Sequence, residues 1–174
     1  MRLRKLEEKD AQGMLEWMHD VDIQKNFCAD FKNKTLKNVL EFIRQANVEF
    51  VDNQDVHFAI VSDDNDEYMG TISLKKIDIN ASNAEYAICL RKKAQHQGMA
   101  KQATKELLRI AFEEWKLKRV YLNVLAENQV AIKLYEKCGF VYEGEFRKHL
   151  FIRGEYKSLK WYAMLQDDYL SKYK

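Results

Sequence analysis

The chain has 174 residues, and at about 100–200 residues per domain it is expected to form a single domain over residues 1–174. Hydrophobic residues make up 47% and charged residues 32%, which excludes the disordered and collagen-like classes. Lys and Arg number 29 against 27 Asp and Glu, a net charge of +2, too balanced for a nucleic-acid binder driven by bulk electrostatics.

Arg2–Leu6 alternates apolar and basic residues and reads as a short strand. Ala11, Met14, Leu15 and Met18 then recur at helical spacing. Leu36, Val39, Leu40 and Ile43 repeat that pattern behind Thr35, a residue suited to cap a helix. Strands are expected at His57–Val61, Tyr68–Ile77 and Asn83–Leu90, with the polar Ser62–Glu67 as a hairpin loop. In the last of these, Ala84, Tyr86, Ile88 and Leu90 fall on one face. A helix from about Gly98 to Trp115 gathers Ala103, Leu107, Ile110 and Ala111 on its apolar side. Arg119–Leu125 reads as a strand. Asn128 would cap a shorter helix lined by Ala131, Leu134, Tyr135 and Cys138 and stopped at Gly139. The aromatic tail Phe140–Leu165 turns at Arg153-Gly154 and reads as a β-hairpin. This order implies an α/β fold with a mixed, largely antiparallel sheet flanked by helices. Strands and helices do not alternate regularly, which argues against a doubly wound nucleotide fold.

Three widely spaced cysteines, Cys28, Cys89 and Cys138, suggest neither a disulfide framework nor a zinc cluster. A reducing, cytoplasmic setting is expected. No apolar run approaches about 18 residues, so no membrane span is expected. His19, His57, His96 and His149 lack metal-ligand spacing, and no metal is assigned.

The stretch Ile88–Lys101 carries the chemistry. A strand ends, a basic and polar loop follows, and a helix begins at a glycine. The first helical turn leaves backbone N–H groups unpaired and adds partial positive charge, a natural place for a phosphate. Gly98 and Ala100 keep the approach open, and Lys92, Lys93 and Lys101 could add charge. The alternative is a plain helix start with solvated lysines. Neither GxxxxGK[ST] nor an early GxGxxG is present, which argues against an NTPase and a dinucleotide oxidoreductase.

Two motifs mark a resemblance. Gln95-His96-Gln97-Gly98-Met99-Ala100 matches the Q/R-x-x-G-x-G/A motif of the GCN5-related N-acetyltransferases (GNAT), and Asn128–Phe140 matches their N-x-x-A-x-x-x-Y-x-x-x-G-F signature. The chain most resembles the bacterial ribosomal-protein and spermidine N-acetyltransferase branch. The resemblance implies acetyl-CoA as donor and direct transfer of its acetyl group to a primary amine. It implies that backbone groups of Ile88, Cys89 and Leu90 hold the pantetheine arm. By the same resemblance His96, Gln97, Gly98, Met99, Ala100 and Lys101, with Gln95 opening the motif, hold the diphosphate, and Asn128 touches the arm. Tyr135 matches the tyrosine that protonates the departing thiolate, a role a placed acid can fill for about 10²–10⁴-fold in rate. Its place on an apolar helix face is equally that of a core residue.

An amine with a pKa near about 10.4 is protonated at neutral pH, so a base must take its proton. Where some relatives carry a glutamate on the fifth strand, this chain has Asn123, which cannot serve. Glu85 is the substitute, acting through water, or else it is an ordinary cross-strand ion-pair partner. Cys89 could suggest a covalent acetyl-enzyme, but a buried small hydrophobe is the favoured reading. In the family the acceptor site is framed by the N-terminal helices and the last hairpin, here carrying Trp17, Asp20, Asp22, Phe27, Asp30, Phe31, Glu143, Glu145 and Tyr156. The expected acceptor is a polyamine, an amino sugar or a protein N-terminus, with no nucleic acid or membrane partner and a homodimer or higher homo-oligomer as an option. The alternative function is a CoA-binding sensor or interaction module without turnover.

Overall fold

The computed structural model describes residues 1–174. Seven strands form one sheet: β1 (Arg2–Lys5), β2 (Val56–Val61), β3 (Tyr68–Asp78), β4 (Asn83–Leu90), β5 (Arg119–Leu125), β6 (Val141–Ile152) and β7 (Glu155–Leu165). Their order is β1-β2-β3-β4-β5-β7-β6. Every pair is antiparallel except β4 with β5, so the mixed, largely antiparallel sheet agrees with the sequence reading.

Alternation of side chains sends each strand's residues to two faces, and each face has its own core. On one face Ile72, Leu74, Tyr86, Val120 and Leu122 pack against α4 (Met99–Arg109), α5 (Gln129–Cys138) and α6 (Gln166–Tyr173). On the other, Ala59, Val61 and Tyr68 pack against α1 (Ala11–His19), α2 (Val21–Gln24) and α3 (Leu36–Gln45). Thr35 caps α3 as its position suggests, accepting from the Asn38 amide at 3.3 Å.

Three elements differ from the sequence reading. The N-terminal third holds three helices rather than two, because Asp20 ends α1 and caps the single turn of α2. The helix after Gly98 is α-helical only to Arg109, and Ile110–Glu114 continues it as a π turn. The apolar stripe runs on through Ala111 and Phe112, so the periodicity hides the change of pitch. After β7 the chain enters α6 with no breaker between Leu165 and Gln166, and Tyr169 is buried among the core residues.

The feature that positions the site is a splay. β4 is laddered to β3 from Asn83 to Leu90, but to β5 only at Asn83, Ala84 and Glu85. Past Glu85 and Tyr121 the two strands part. β5 continues to Leu125 paired with β7 alone. The main-chain edge of Tyr86–Leu90 that faces β5 therefore has no ladder partner and lines a V-shaped cleft.

Candidate active site

The loop leaving β4 passes through one 3₁₀ turn, Lys92–Ala94, and delivers the chain to α4. His96 and Gly98 both have positive φ, 61° and 73°, and these two left-handed residues turn the loop into the helix start. No side chain caps α4. A Cβ built on Gly98 would meet nothing within 4 Å, so the space over the first turn is open. The turn is also pinned beside the cleft. Thr104 donates to the Ala100 carbonyl at 2.7 Å, so its single proton is used and the Tyr86 hydroxyl donates to Thr104, also at 2.7 Å. An open, uncapped helix start with no carboxylate in its first turn fits an anion such as the CoA diphosphate.

Ile88, Cys89 and Leu90 stand on the splayed end of β4, half-buried and paired with β3 only. Gln95 reaches back towards the Leu90 carbonyl, its Nε2 at 3.4 Å. The structure thus brings Ile88, Cys89, Leu90 and residues Gln95 to Lys101 together at one end of the cleft. Asn128 stands across it, but its side chain is committed to its own helix, accepting from the Ala131 amide at 3.2 Å.

Tyr135, on α5, is buried and meets the Tyr86 ring edge-on with centroids 5.7 Å apart. Burial pushes its phenol well above the ordinary tyrosine value, so it keeps its proton throughout the neutral range. A permanently protonated phenol beside the splay is chemically a proton donor. Burial likewise pushes the Cys89 thiol far up, and a thiol held protonated is a poor nucleophile.

Glu85 lies on the opposite face of β4 from Tyr86, next to Tyr121 on β5. It is 6% exposed, and Lys75 Nζ donates to its Oε1 at 3.0 Å. Lys76 Nζ lies 2.6 Å from Oε2, an ion pair without hydrogen-bond alignment. Burial raises the Glu85 pKa, but the two ammonium groups together outweigh it and hold the carboxyl below the usual glutamate value. Adjacent residues of a strand normally point to opposite faces. Here both lysines reach one carboxylate because β3 bulges between Lys75 and Asp78, with Lys76 at φ 49°. Nothing in the sequence pattern announces that bulge.

The same face holds the candidate acceptor frame. Trp17, Phe27 and Phe31 form a three-ring cluster with centroids 5.5 Å apart. Arg153, at the β6–β7 tip, donates to the carbonyls of Phe27 and Lys25 at 3.0 and 2.9 Å, tying the hairpin to the segment after α2. Asn123 faces Trp161 across β5 and β7, and the buried Trp161 indole N–H has no partner. The acids on the frame are mostly engaged: Asp20 caps α2, Asp22 pairs with Lys25 and Lys92, and Glu143 pairs with Arg119. Glu145 and Tyr156 are exposed. Sequence reasoning missed Arg153 and Trp161 as parts of this frame, because both act through long-range contacts.

The chain matches the acetyltransferase (GNAT) domain family over residues 1–141. It belongs to that family. It is 30% identical over 172 residues to the spermidine N(1)-acetyltransferase of Vibrio cholerae, covering 99% of this chain and 96% of the relative. It is 28% identical over 174 residues to the spermidine N(1)-acetyltransferase of Escherichia coli K12, covering 100% of this chain and 90% of the relative. The crystal structure of the Vibrio cholerae spermidine N-acetyltransferase in complex with CoA and spermine superposes with a TM-score of 0.85 at 28% identity, covering 97% of each chain. A putative ribosomal N-acetyltransferase of Bacillus subtilis is 30% identical over a shorter stretch, 58% of this chain. This chain is accordingly an acetyl-CoA-dependent N-acetyltransferase with the GNAT fold. No helix is long and apolar enough to cross a membrane.

Proposed function

We propose that the acceptor is a polyamine such as spermidine or spermine, acetylated at a primary amine by direct transfer. The observation that carries this reading is similarity along the whole chain to spermidine acetyltransferases, including one whose structure holds CoA and spermine. The half-buried Phe27 and Phe31, packed on the buried Trp17 and bordered by carboxylates, support it, since aromatic faces attract organic cations.

Acetyl-CoA supplies the acetyl group as an activated thioester. In this reading the amides of residues 96–101 bind the diphosphate, with Gln95 opening the loop, and the free edge of Ile88–Leu90 orients the pantetheine arm. Asn128 sets the start of α5 against that arm. Tyr135 gives its proton to the sulfur as the thiolate departs. The amine's proton passes through water towards Glu85, which Lys75 and Lys76 keep ionised at neutral pH. A carboxylate so held is always ready to accept and is a weak base, so the largest part of the rate is assigned to placement and to Tyr135.

The experiment is a panel of amine acceptors scored by free-thiol release from acetyl-CoA. Spermidine and spermine should give the highest kcat/KM. Preference for a peptide N-terminus or an amino sugar would replace the polyamine reading, and a flat panel would favour a CoA-binding module without turnover.

A further inference from the structure

The N–H groups of residues 96–101 find no acceptor within the chain, so none of these amides is held in place by a bond of its own. Such a segment takes its shape from its two ends. At the rear, α4 begins with the Gln102 amide donating to the Gly98 carbonyl at 3.1 Å. At the front stands Arg91. Its amide donates to the Met69 carbonyl at 2.8 Å, and its carbonyl accepts from the Ala94 amide at 2.9 Å to close the 3₁₀ turn. Its side chain leaves the loop and runs along α1. Nε donates to Glu16 Oε1 at 3.2 Å and Nη2 to Glu16 Oε2, a two-point grip on one carboxylate. Nη1 donates to the Tyr68 carbonyl at 2.9 Å and to Glu67 Oε1 at 3.0 Å. The Arg91 side chain is 13% exposed, whereas Lys92 and Lys93 stand at 65% and 45%. α1 makes room for it: a Cβ on Gly13 would fall 2.7 Å from the Tyr68 ring and 3.5 Å from Arg91 Cδ. Glycine is a poor residue inside a helix, and here it permits a close approach.

The two lysines that follow repeat the direction. Lys92 and Lys93 suit a phosphate contact by sequence, yet Lys92 pairs with Asp22 of α2 and Lys93 with Glu67. All three consecutive basic residues are turned to carboxylates of the protein. We propose that Arg91 is a positioning residue for the donor: without touching acetyl-CoA, it fixes the diphosphate loop against α1. This role rests on residues 96–101 holding the diphosphate. It differs in sign from a direct charge contact. Were Arg91 a ligand of the anion, Glu16 would compete for it, and neutralising Glu16 would tighten CoA binding. Because Arg91 holds the loop through Glu16, neutralising Glu16 loosens the loop and weakens binding.

Calorimetry of the full chain with CoA tests it, with Gly98→Glu reporting separately on the anion site. Arg91→Met keeps an apolar stem against Gly13 and should weaken CoA binding by about tenfold, since a loop not held in shape must be ordered by its ligand. Glu16→Gln, nearly isosteric and on a half-exposed residue, should fold as the wild type does and weaken binding by about threefold. Arg91→Lys keeps the charge but loses the two-point grip, so it should behave like Arg91→Met. In free-thiol assays with spermidine the loss should fall on the KM for acetyl-CoA, with kcat at saturation changed by less than about twofold. Unchanged affinity in Arg91→Met, tighter binding in Glu16→Gln, or full recovery in Arg91→Lys, with binding abolished in Gly98→Glu, would overturn the role of Arg91 alone. Unaltered affinity in Gly98→Glu would remove the anion site and this role with it.

Discussion

Two helices, α4 and α5, begin at the mouth of the splay, and they begin in opposite ways. α5 is closed: Asn128 accepts from the Ala131 amide and occupies the place where an anion would sit. α4 is open: Gly98 offers no side chain and nothing caps the first turn. Helix starts share the same unpaired amides and the same dipole. What differs is whether the protein satisfies them itself or leaves them to a ligand. The open start lies at the outer end of the cleft, where a diphosphate can stay near solvent. The closed start fixes the helix that carries Tyr135, the proposed proton donor.

Breaking the open end should have the largest effect. Gly98→Glu puts a carboxylate over the first turn and a side chain at φ 73°, and calorimetry should find no measurable CoA binding. Unaltered affinity would mean that the open amides are not the anion site. Next in size is the group held by the closed helix. Tyr135→Phe should lower kcat by about 10²-fold, within the range of a lost general acid, while CoA affinity stays near the wild-type value. Equal turnover of the two proteins would remove Tyr135 from proton transfer and leave it as a core residue.

Much of this was legible in the sequence because it is local. Gly98 and Asn128 announce their helix starts by residue type, and Tyr135 by spacing within α5. The alternation in Asn83–Leu90 placed Glu85 opposite Tyr86 without any knowledge of the sheet. What was hidden depends on distant partners. The clasp on Glu85 needs a bulge in β3 that turns Lys76 to the same side as Lys75. The π turn after Arg109 preserves the apolar stripe that would have betrayed it. α6 follows β7 with neither glycine nor proline between them, so no breaker marks the change.

Smaller effects sharpen the contrast. Asn128→Ala should lower stability by about 1 kcal/mol, the usual worth of an N-cap, and Asn128→Asp should recover most of it in a denaturant titration. No change on removing the side chain would mean that α5 is not closed by Asn128. Glu85→Gln should reduce kcat/KM by less than Tyr135→Phe, and the deficit should shrink as pH rises and the amine loses its proton unaided. A deficit independent of pH would leave Glu85 as an ion-pair partner only. The carboxyl is held below its ordinary value, so its pairing contributes stability above the usual glutamate range. That contribution is lost as pH falls through the lowered value. Acid unfolding should therefore begin at a higher pH in a Lys75→Met, Lys76→Met double variant than in the wild type.

The open helix start is tested most directly by titrating ¹⁵N-labelled protein with CoA and following the amide resonances. The amides of Gly98, Met99, Ala100 and Lys101 should move most, with those of the capped first turn, Gln129 and Val130, moving far less. Saturation of the protein with CoA while residues 98–101 stay unshifted would contradict the account.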